Sequence, residues 1–87
     1  MDGSKLIVSI IEAVIQDTEH TSDWPNQLEK YIATNFKGND YISRVRIIIS
    51  KIKKHGAILV SISPERLAIM PINYINAYIE YNKVYRI

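Results

Sequence analysis

Apolar residues recur at three- and four-residue spacings through residues 6–52 of this chain, and that rhythm predicts helices. Leu6, Ile7, Ile10, Ile11 and Val14 mark a first helix, with Ser4 as a plausible N-cap. The polar run from Asp17 to Asp23 ends it. Asp23-Trp24-Pro25 is a start signal: a capping carboxylate, then a proline in the first turn, where its missing N–H costs nothing. Leu28, Tyr31, Ile32 and Phe36 continue a second helix. Lys37-Gly38-Asn39-Asp40 reads as a turn, with Gly38 suited to a left-handed backbone and Asp40 placed to cap the third helix.

That third helix carries the stretch YISRVRIIISKIKKHG, residues 41–56. At about 100° per residue, Ile42, Val45, Ile48, Ile49 and Ile52 share one face. Arg44, Lys51 and Lys54 fall opposite, with Ser43, Ser50 and Ile47, while Arg46 and Lys53 flank the apolar stripe. One face therefore packs and the other is basic. Gly56 closes the helix.

After Gly56 the pattern changes. Residues 57–62, AILVSI, are rich in β-branched side chains and predict a strand. Ser63-Pro64-Glu65 is turn-like, and residues 66–72 form a second strand of a hairpin; a short helix over Glu65 to Met70 competes. In the tail, Tyr74, Tyr78, Tyr81 and Tyr85 are spaced 4-3-4, which favours a helix over a second hairpin.

Composition narrows the function classes. Eighty-seven residues make one domain, its core at 4–72 with an extension at 73–87. The chain has no cysteine and two histidines, His20 and His55, so disulfide scaffolds are excluded and a structural metal is not expected. No run of about 18 apolar residues spans a membrane, and the N-terminus lacks the marks of a signal peptide. An intracellular protein is expected, nuclear if eukaryotic. The net charge of +2 hides a segregation. Residues 1–36 set Lys5 and Lys30 against Asp2, Glu12, Asp17, Glu19, Asp23 and Glu29. Residues 37–54 set six basic groups against Asp40 alone.

Three helices followed by a β-hairpin is the order of a winged helix, an α+β fold. Ser4-Lys5-Leu6-Ile7, Gln27-Leu28-Glu29-Lys30-Tyr31-Ile32 with Phe36-Lys37, the Ile49-x-x-Ile52 stripe and Lys54-x-Gly56-Ala57-Ile58-Leu59 resemble the globular domain of linker histones. That resemblance implies a chromatin or transcription protein whose third helix meets DNA. It departs at the wing: Ser61-Ile62-Ser63-Pro64-Glu65-Arg66 has no glycine and one arginine. A second likeness is to the central domain of transcript-cleavage elongation factors, through Arg44-Val45-Arg46, Ile62-Ser63-Pro64 and Leu67-Ala68-Ile69-Met70.

The expected partner is double-stranded DNA, held mainly by its phosphates through Lys37, Arg44, Arg46, Lys51, Lys53, Lys54 and Arg66. The alternative is a protein-interaction module or homodimer, with Ile47, Tyr74, Tyr78, Tyr81 and Tyr85 making the contact. Packing onto the domain's own core is the plainer role for the tyrosines, as it is for Trp24. No cofactor is expected. No nucleophile–base pair, paired carboxylates or phosphate loop appears, so an enzyme is not expected.

Overall fold

The computed structural model describes residues 3–15 and 23–85. Among them are five helices and no strand: α1 (Gly3–Val14), α2 (Trp24–Asn35), α3 (Gly38–Leu59), α4 (Pro64–Ile69) and α5 (Ile72–Tyr85). The fold is all-α. The α+β winged helix expected from the sequence is therefore corrected: both strands of the hairpin are helical or irregular. His20 and most of the Asp17–Asp23 run lie outside the described residues.

The start of α2 follows its local signal, whereas Ser4 lies inside α1 and Asp40 does not cap α3, whose N-cap is Lys37. α2 opens at Trp24 with Pro25 in its first turn, although the Asp23 carboxylate takes the Gln27 side-chain amide at 2.9 Å rather than a backbone N–H. Gly38 has φ +57°, the left-handed conformation that glycine adopts without penalty. It lets the chain reverse from α2 into α3, and Asp40 sits within the first turn of α3.

The missing hairpin has a tertiary cause. α3 does not stop at Gly56 but continues to Leu59 across one non-helical residue, His55 (φ −138°, ψ 31°). Continuing the helix keeps Leu59 in the core beside Ile48 and Ile52. Burying a leucine is worth about 2 kcal/mol, more than the roughly 1 kcal/mol that β-propensity spans at any one residue. Gly56 is closely approached here: a Cβ would lie 3.1 Å from Ile15 Cγ2, so that side chain would have to shift by a few tenths of an ångström. The chain then turns through Ser61, and Ile62 is buried where the Trp24 indole donates to its carbonyl at 3.2 Å.

Ser63 caps α4 by accepting from Arg66 N–H, and Pro64 fills the first helical position. So Ser63-Pro64 starts a helix rather than a hairpin turn, and the competing short helix over 65–70 is the one that forms. α4 packs on α2, burying Leu67 and Ala68. After the extended Met70–Pro71 connection, α5 adds Ile75 and Ile79 to the same core.

Candidate nucleic-acid interface

The core-facing side of α3 is set by Val45, Ile48 and Ile52, and Arg44 is buried with them. The helix is thus rotated from the face the isoleucines suggest. Ile42 comes out to solvent, Ile49 is half-buried, and Arg44 goes in with 6% of its surface exposed.

Arg44 is not available to a nucleic acid. Its Nε donates to the Ala68 carbonyl at 2.8 Å, and its Nη2 donates to Leu67 at 2.8 Å and Met70 at 2.7 Å. These carbonyls lie at the C-terminal end of α4, where a helix leaves acceptors unpaired and favours a cation. The Phe36 ring lies 5.5 Å from the guanidinium carbon, a cation–π contact. Burial lowers the Arg44 pKa, but arginine stays charged in proteins. The residue ties α3 to α4, and its assignment to DNA is corrected.

Lys51 is half-buried, and its Nζ donates to Asn76 Oδ1 at 2.6 Å, so it links α3 to α5. The remaining cations stay on the surface. Arg46, Lys53 and Lys54 are exposed along α3, and none makes an ion pair among the described residues. Lys37 is exposed at the α3 N-cap, and Arg66 is exposed on α4, apart from this strip. Ser43 and Ser50 stand on the same outward side.

Two groups, His55 and Lys83, adjoin the lysines in the last turns of α3. His55, at the irregular turn, has its pKa lowered first by burial, then by the charges of Lys83, Lys54 and Lys51; Glu80 works the other way. Lys83 reaches this cluster from α5 while pairing with Glu80 at 3.7 Å, both side chains well exposed. Nothing in the sequence spacing announces Lys83, which becomes a neighbour only through the docking of α5.

The tyrosines divide. Tyr74 and Tyr81 are exposed, while Tyr78 is half-buried and shares a 2.6 Å hydrogen bond with Ser61. The Tyr85 side chain lies outside the described residues. α5 turns its isoleucines, not a tyrosine stripe, to the core. Ile47 is partly exposed on the α5 side of α3. No helix among the described residues is long and apolar enough to cross a membrane. Compared with known proteins, the chain matches no protein-family model, no curated protein and no solved structure.

Proposed function

We propose that this protein binds double-stranded DNA by its phosphate backbone, through the outward side of α3. The observation that carries the reading is a strip of Ser43, Arg46, Ser50, Lys53 and Lys54, exposed over about 16 Å of helix with no acidic residue between Tyr41 and Leu59. Lys37 precedes it in the chain, and Lys51, His55 and Lys83 cluster beside it toward α5. A duplex carries one negative charge per roughly 1.7 Å of axis, so such a strip meets several phosphates at once and releases their counterions. Serine hydroxyls beside the cations donate to phosphate oxygens. Arg46 is the single side chain on the strip suited to bidentate base reading, so sequence selectivity is weak.

The test is a fluorescence titration of a labelled duplex at two salt concentrations, with wild type beside the Lys53→Glu/Lys54→Glu double variant. Both side chains are exposed, so the variant keeps its melting temperature within a degree or two. Expected are a steep loss of affinity with salt, with a log–log slope of about −3 to −4 for four contacts, and at least a tenfold loss in the variant. A wild type that fails to bind at low salt ends the reading.

A further inference from the structure

The turn at Met70–Pro71 leaves apolar surface on both of its sides. On one side Ile69, Met70, Pro71, Tyr74 and Arg66 line a shallow groove of about 230 Å³. On the other, Ile47 and Ile72 lie with Arg46, Ser50 and Lys51 around a groove of about 410 Å³. Ile69 is 50% exposed and Tyr74 66% exposed. Single exposed apolar residues are ordinary on a protein surface. Here Ile69, Pro71, Ile72 and Tyr74 come from one six-residue segment, and Ile47 of α3 adjoins it.

Two further features distinguish this surface. Every charged residue lining either groove is a cation: Arg66 beside the first, Arg46 and Lys51 beside the second. Arg46 and Arg66 make no ion pair among the described residues, and Lys51 meets only the neutral Asn76. The segment is also fixed in advance. Arg44 grips the carbonyls of Leu67, Ala68 and Met70 just before the turn, so a partner meets a surface already ordered.

We propose that the grooves flanking Pro71 form one docking surface for an acidic amphipathic segment of a partner protein. Large apolar side chains of the segment enter the two grooves, and its carboxylates meet Arg66, Arg46 and Lys51. This recognition mode is helix-in-groove, with charge setting specificity. The occupant is chosen by that charge complementarity. A nucleic acid offers phosphates to the rim but leaves the isoleucines and proline uncovered. The surface does not depend on DNA binding, although the two ligands share Arg46 and Lys51 and would compete there.

The experiment uses the full chain, ¹⁵N-labelled. It is titrated with a synthetic helix-forming peptide bearing leucine at i, i+4 and i+7 and glutamate elsewhere. A second peptide replaces each glutamate with lysine. Expected are saturable shifts at residues 66–74 and 46–51 with the acidic peptide alone. Ile69→Ser/Tyr74→Ser, both at exposed positions, weakens that binding at least tenfold and leaves duplex binding and melting temperature unchanged. Arg66→Glu weakens peptide binding without touching the α3 strip. Equal binding of the two peptides overturns the proposal, as does no binding of either. Sedimentation showing that the chain alone self-associates through residues 69–74 also overturns it, because the occupant is then a second copy. Peptide binding in a protein that ignores DNA leaves this proposal standing and removes the previous one.

Discussion

A guanidinium without a carboxylate is costly to bury, and Arg44 has none beside it among the described residues. Three carbonyl acceptors, from Leu67, Ala68 and Met70, and the Phe36 ring offset the lost water. Arg44→Met is therefore expected to leave these carbonyls without a donor and to cost about 3 kcal/mol. For a domain this small, that lowers the melting temperature by more than roughly 10 °C. Arg44→Lys should recover only part, since an ammonium cannot span three carbonyls in the same plane. Thermal melts of both variants check this; if Arg44→Met melts like wild type, the tie contributes nothing. Any duplex-binding defect in these variants should track lost stability, unlike that of the Lys53/Lys54 double variant. The role was hidden in the sequence because Ile42 and Ile49 draw the apparent apolar face away from Arg44. A helical wheel gives the spacing of residues but not which isoleucines win the core.

At the scale of elements, α2 and the start of α3 were legible because their signals are local: Trp24-Pro25 for one, Gly38 for the other. The end of α3 was not: residues 57–62 have strand composition, yet residues 57–59 continue the helix and bury Leu59, and residues 60–62 form a turn. α5 was legible as a helix but not in its facing. The evenly spaced tyrosines suggested a functional stripe, whereas the packing contacts are Ile75 and Ile79, four residues apart. With two polar ties, Lys51–Asn76 and Ser61–Tyr78, these isoleucines latch α5 onto the rest. Ile79→Ala should cost about 2–4 kcal/mol by leaving a cavity. It should also release α5 locally before global unfolding. Native-state hydrogen exchange tests this: amides of α5 should lose protection in the variant while those of α2 keep theirs. Uniform loss across both helices would show that α5 belongs to a single cooperative unit.

Over the whole molecule, the fold gathers cations that are far apart in sequence, and His55 reports the result. Burial first, then Lys83, Lys54 and Lys51, hold its pKa below the ordinary 6.5, with Glu80 opposing. A base whose folded pKa is depressed binds more protons when unfolded, so stability is lost as pH falls below about 6.5 and levels off below the folded pKa. The sign for binding is opposite. A phosphate at this end of α3 neutralises the lysines and favours a charged ring, so the His55 pKa rises when a duplex binds. Lowering the pH from 7.5 to 5.5 should therefore weaken the free protein yet tighten its complex. NMR titration of the His55 ring protons with and without duplex reads the shift, and duplex affinity at the two pH values reads its consequence. His55→Gln separates this histidine from His20 and should make affinity independent of pH over that range. A His55 pKa unmoved by saturating duplex would place the phosphates elsewhere on α3, toward Arg46 and Lys37, and confine the interface to the first half of the helix.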